Sequence, residues 1–191
     1  MRTPRLRPRH VGLASLTLVA ALALPASTLA ATISGTAGND VLNGTAAADW
    51  IYGLAGNDTI SGYAGTDHLY GGTGADLIRA GDGADVVSGG DGNDGLSGGA
   101  GGDHLSGNAG ADLIYGGSGN DVISGGDGND SISGGPGNDI VYGGYGDDRI
   151  LVGGDRAADA VHCGPGTDTA YLGRYDIADS SCEHVVRTLE P

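Results

Sequence analysis

The sequence has no lysine, no phenylalanine, a single tryptophan and only two cysteines. It has no glutamate before Glu183, so an EF-hand loop, which closes on a terminal glutamate, is excluded. HExxH is absent, which removes the zinc-protease helix, and so is GxSxG, which removes the hydrolase nucleophile elbow. The nearest approach to the latter, Gly116 to Asn120, ends in the wrong residue. Glycine is abundant, at 40 of 191 residues, but it does not fall at every third position, and collagen is therefore excluded. The longest apolar run, Val11 to Leu24, is short for a membrane span.

Positive charge is scarce and displaced. All nine cationic residues are arginine, and four of them (Arg2, Arg5, Arg7 and Arg9) precede the apolar run. All 24 acidic residues lie beyond Ala31, so without the first 30 residues five arginines face 24 carboxylates, a net charge of −19. Such a chain repels nucleic acid and anionic membranes and attracts cations. The basic start, the apolar run and the segment PASTLA, with small residues Thr28 and Ala30, read as a signal peptide over residues 1–30, cleaved after Ala30. The expectation is a secreted, extracellular protein with no membrane span after cleavage. In that compartment Cys163 and Cys182 are expected to form a disulfide.

What is present is a period of nine. Aspartates stand at Asp40, Asp49, Asp58, Asp67, Asp76, Asp85, Asp94, Asp103, Asp112, Asp121, Asp130, Asp139 and Asp148, without insertion. The second residue after each is Leu, Ile or Val. Two before each is glycine except at Ala47, and five before is glycine except at Ala80. Four before, Thr36, Thr45, Leu54, Tyr63 and Asn108 interrupt the glycines. The phase resumes after a two-residue insertion with Asp159, Val161 and Asp168.

An apolar residue between mostly polar ones reads as a very short strand with one side chain inward. The glycine-rich residues before it read as a tight turn able to aim its carbonyls at one point. Strand, turn, strand, turn makes a coil of about 18 residues, with alternate rows stacked about 4.8 Å apart in two parallel sheets. One aliphatic side chain per row, worth about 1.5–3 kcal/mol, is a thin core. Stacking also sets carboxylates in columns, and a cation has to neutralise them. Carboxylates with backbone carbonyls suit Ca²⁺, whereas Mg²⁺ demands a stricter octahedron. These turns offer no Cys or His for Zn²⁺.

The pattern GGxGxDxUx resembles the RTX, or haemolysin-type, calcium-binding nonapeptide repeat, over Gly35 to Leu151 and weakly to Tyr171. The resemblance implies an all-β fold: a right-handed parallel β-roll of about 13–15 rows over residues 31–151. It implies Ca²⁺ held between row n and row n + 2 by aspartates and turn carbonyls, such as those of Gly117, Gly119, Gly126, Gly128, Gly135 and Gly137. The pairs run from Asp40 with Asp58 to Asp130 with Asp148. Up to about eleven ions would then bring enough charge to offset the acidity. Row two, with Ala47, is expected to be strained and its site weak; Asp159 and Asp168 fall in irregular turns and their part stays open. Residues 152–191 read as degenerate rows and a small disulfide-tied cap carrying Val185 and Val186. Their ending, VHCGPGTDT with a later CEHV, resembles that of secreted bacterial repeat proteins.

No nucleophile and base stand at a recognisable spacing, so the chain does not read as an enzyme. His68 and His104 are two coils apart on one sheet. Trp50, Tyr52 and Tyr70, with His68, form an outward patch that fits either a glycan- or protein-recognition face or simple cross-strand packing. The leading expectation is a calcium-binding structural or adhesive protein; a recognition module is second, and a non-catalytic remnant of a hydrolase third.

Overall fold

The computed structural model describes residues 29–188. The signal segment therefore lies almost wholly outside the described residues. The described residues form eighteen strands and no helix. Short strands β1 (Thr32–Ser34) and β2 (Val41–Asn43) lead into nine six-residue strands at nine-residue intervals: β3 (Trp50–Ala55), β4 (Thr59–Ala64), β5 (His68–Thr73), β6 (Leu77–Asp82), β7 (Val86–Asp91), β8 (Gly95–Ala100), β9 (His104–Ala109), β10 (Leu113–Ser118) and β11 (Val122–Asp127). Then come β12 (Ser131–Ser133), β13 (Ile140–Tyr145), β14 (Arg149–Leu151), β15 (Ala160–His162), β16 (Thr169–Leu172), β17 (Ile177–Ala178) and β18 (His184–Arg187). Odd strands make one nine-stranded sheet and even strands the other, each strand pairing in parallel with the next but one. The result is a parallel β-solenoid of about nine coils.

The strands are longer than the repeat alone suggests. In β5 the alternation runs on through the glycine pair, so that Asp67, Leu69 and Gly71 all face inward while His68 and Tyr70 face out. The glycines read as turn thus belong to the strand, and the turn shrinks to the residues from Gly74 to Asp76. From Leu54 to Gly144, every residue four before the aspartate has positive φ. Glycine does this without a Cβ clash. Asn108 (φ 76°) is of the type that tolerates it and bonds the Ser88 hydroxyl. Leu54 (φ 85°) and Tyr63 (φ 79°) lie over the short first coil and are more than half exposed.

The core is one aliphatic column per sheet. Ile51, Leu69, Val87, Leu105, Ile123, Val141 and Val161 line one sheet; Ile60, Ile78, Leu96, Ile114, Ile132 and Ile150 line the other, all buried. Ala80 puts its methyl into this core, and β6 keeps its register with β4 and β8.

The solenoid begins one row earlier than the first aspartate: Ile33 pairs with Ile51. It also continues past residue 151. Strands β15 and β16 stack on β13 and β14, and β17 and β18 stack on those. Val185 and Val186, expected in a cap, lie on the last strand and are 42% and 44% exposed, and the tail that carries them supplies the last strands of both sheets. Cys163 and Cys182 are bonded, the former fully buried. Reducing this bond is expected to loosen β15 to β18 at a cost of about 3 kcal/mol. Limited proteolysis checks it: with reductant, cleavage should begin beyond Leu151, while the rows before it stay protected.

Candidate metal centre

Each aspartate comes two residues before its aliphatic neighbour, so strand alternation turns both inward on the same edge. Fifteen aspartates, from Asp49 to Asp176, are buried with at most 4% exposure. They form two columns, one along each side of the solenoid. Within a column the backbone N–H of one aspartate donates to Oδ1 of the aspartate eighteen residues on: Asp40 to Asp58, Asp49 to Asp67, Asp58 to Asp76, and so on to Asp130 and Asp148, all at 2.7–2.9 Å. Hydrogen bonds thus join each of the eleven pairs of aspartates that stand eighteen residues apart.

Two carboxylates outside the regular period, missed in the sequence, complete the columns. Asp176 Oδ1 accepts from Asp159, and Glu183 Oε2 accepts from Asp168. Their signal was weak but present: Asp176 and Glu183 each stand two residues before an apolar residue, Ala178 and Val185, though the spacing of nine is broken. Asp159 and Asp168, left open by the sequence, take regular places by accepting from Asp139 and Asp148.

The second carboxylate oxygen has no such partner. Oδ2 of Asp58, Asp67, Asp76, Asp85, Asp94, Asp103, Asp112, Asp121, Asp130, Asp139, Asp148, Asp159 and Asp168 is buried and makes no hydrogen bond. Buried polar atoms are rarely left so, and the cost of each is about 1–3 kcal/mol. The first two rows are exceptions. Thr36 and Thr45 stand where later rows have the left-handed residue, and each gives its amide and hydroxyl to Oδ2 of its own row's aspartate, Asp40 or Asp49. Row two, expected to be strained, has no positive φ at Ala47 and a satisfied Asp49.

From Asp67 to Asp168 burial raises the pKa of each column aspartate, and neighbouring carboxylates raise many of them further, against the lowering effect of the amide bond. Asp94, Asp130 and Asp159 rise to about 7; Asp67, Asp103, Asp139 and Asp148 rise to about 6. In the metal-free fold these groups hold protons that the unfolded chain releases near pH 4. Their contribution to the stability of the metal-free fold is therefore fully present below about pH 4 and lost as pH rises through about 6–7. In chelator, circular dichroism should show more β-structure at pH 5 than at pH 8; equal spectra would contradict the assignment.

The cavity chemistry fits a hard cation. Among the described residues no three His, Cys, Asp or Glu side chains gather at one point, so side chains alone do not form a site. Backbone carbonyls have to supply the rest. Gly117, Gly119, Gly126, Gly128, Gly135 and Gly137 all have positive φ. The carbonyl oxygens of Gly117, Gly119, Gly126 and Gly128 point along the column, where a Cβ on Gly135, Gly137, Gly144 or Gly146 would overlap them. Oxygen from carboxylate and carbonyl in stacked turns is a donor set for Ca²⁺.

The aromatic patch forms in the expected register, with Trp50 beside His68 and Tyr52 beside Tyr70. The rings stack on one another: Trp50 and His68 have centroids 4.0 Å apart and planes 10° apart, Tyr52 and Tyr70 5.1 Å and 6°. Rings this close and this parallel stack on one another along the ladder, while Trp50 stays 43% exposed. Val86 separates His68 from His104 on the sheet. Near the C-terminus, His162 Nδ1 and the Ser181 hydroxyl both bond Asp179, which holds that carboxyl down at about 2. The serine thus bonds the carboxylate, not the imidazole, and no nucleophile–base pair results.

Stacked nine-residue rows with paired inward carboxylates along both edges define a cation-binding parallel β-roll. The RTX calcium-binding nonapeptide repeat matches four times, over residues 34–69, 61–96, 97–132 and 124–156, which together span more than half of the chain. The chain belongs to that family. No curated protein matches it.

Proposed function

We propose that the chain is an exported structural protein whose roll is completed by Ca²⁺ taken up outside the cell. The observation that supports this reading is the run of thirteen buried Oδ2 atoms without a partner. Paired aspartates from Asp40 with Asp58 to Asp130 with Asp148, with turn carbonyls such as those of Gly117 and Gly119, would hold the ions; Asp159 and Asp168 extend both columns. Bound Ca²⁺ would supply positive charge, and the orphaned oxygens would serve as its ligands. The residues themselves set the spacing, exclude water and align the turns. The role is structural or adhesive rather than catalytic, at the cell surface or in the surrounding matrix.

Ion selectivity tests it. Metal-free protein is expected to gain β circular dichroism with millimolar Ca²⁺, and to gain far less with equal Mg²⁺, which holds its waters more tightly. Folding driven equally by Mg²⁺ would remove the calcium reading.

A further inference from the structure

Ala31 heads one of the two carboxylate columns. It stands nine residues before Asp40, in the place that aspartate fills in the following rows, yet it brings no carboxylate. Its backbone nitrogen donates to Asp49 Oδ1 at 2.6 Å, just as each aspartate nitrogen donates to the next in the column. Asp49 is fully buried. Its other donors are the amide and hydroxyl of Thr45. Among the described residues the one ion pair is His162 with Asp179, so no cationic side chain answers Asp49. Independently, the signal-like start of the sequence leads to the expectation of a peptidase cut between Ala30 and Ala31.

We propose that this cut creates the counter-charge of Asp49. The inference rests on the export reading above. A signal peptidase hydrolyses the Ala30–Ala31 bond: water gives its hydroxyl to the Ala30 carbonyl carbon, the C–N bond breaks, and the Ala31 nitrogen leaves protonated. An α-ammonium then stands where the amide stood, within hydrogen-bond reach of Oδ1. The amide bond to the carboxylate carries charge on the acceptor alone; the ammonium adds the opposite charge on the donor and turns it into an ion pair. The ammonium does for the first row what a cation does for later rows, and it needs no second carboxylate. The consequence is local. The Trp50 amide donates to the Ala31 carbonyl at 2.8 Å, and β1 pairs with β3 just beyond. Pinning Ala31 pins the first row, so the precursor has a looser start than the processed protein.

The absence of lysine makes the test selective, because the α-amine is the only primary amine of the processed chain. The secreted protein is collected and its first residue is established by mass. One portion is acetylated while unfolded and refolded in Ca²⁺. Acetylation is expected to speed hydrogen exchange of the Trp50 amide about tenfold and to leave the Ile123 amide unchanged. Acetylation of the folded protein should run at least tenfold slower than that of the unfolded one. Asp49→Asn should erase the difference between free and acetylated forms. Equal exchange at Trp50 in the two forms overturns the pairing. A secreted chain that starts at another residue overturns the processing step, and the mass shows this independently of the exchange data and of calcium-driven folding.

Discussion

With calcium chelated at neutral pH, the protein is expected to lose most of its β circular dichroism and its cooperative thermal transition, and to recover both when Ca²⁺ is returned. Each regular row buries one Leu, Ile or Val, and the sheets add hydrogen bonds of modest net worth. Against this, the columns bring together carboxylates 0–4% exposed, whose Oδ2 atoms lack partners from Asp58 to Asp168. At pH 7 most of these groups ionise in the unfolded chain and resist ionising in the fold, which favours unfolding. Ligands that bind only the folded state reverse the balance by mass action, and many sites acting in one cooperative unit make the reversal steep. The loss should be least at the first two rows, where Thr36 and Thr45 satisfy Asp40 and Asp49 without metal.

The second large effect is steric. Gly101→Ala is expected to cost about 3 kcal/mol or more in the calcium-loaded protein, read as a fall in the urea midpoint. Gly101 has φ 136°, and a Cβ there would run into the carbonyl oxygen and carbon of Gly83 in the stacked turn. Both contacts are backbone, so no side chain can move aside, and relief requires opening the stack of rows. Gly38→Ala is the matching control. Gly38 has no positive φ, and the nearest atom to its Cβ is the Thr36 hydroxyl at 3.9 Å. Its substitution should change stability by less than about 0.5 kcal/mol. Equal effects at the two positions would contradict the stacking geometry.

Much of the fold was legible because a strict period carries both register and facing. Once Asp and the aliphatic residue recur at nine, pairing at eighteen follows, and with it Trp50 beside His68 and each aspartate beside the next in its column. Strand length was not legible. A glycine pair looks like turn in sequence, but the inward small residue, such as Gly71, is the third member of the alternation. The ends were the least readable. Ile33 lacks an aspartate before it, Asp176 and Glu183 break the spacing, and the threonines that replace a partner at Asp40 and Asp49 look in sequence like lapses of the glycine rule. The aromatic ladder was placed correctly, but whether its rings faced outward or each other depended on side-chain torsions that spacing does not set.

The most direct test is a crystal of the calcium-loaded protein measured for anomalous scattering. The structure predicts peaks in two lines, one per column, each lying between aspartates eighteen residues apart and within 2.3–2.6 Å of an Oδ2 atom. An ordered roll grown in saturating Ca²⁺ with no density beside those oxygens would contradict the account.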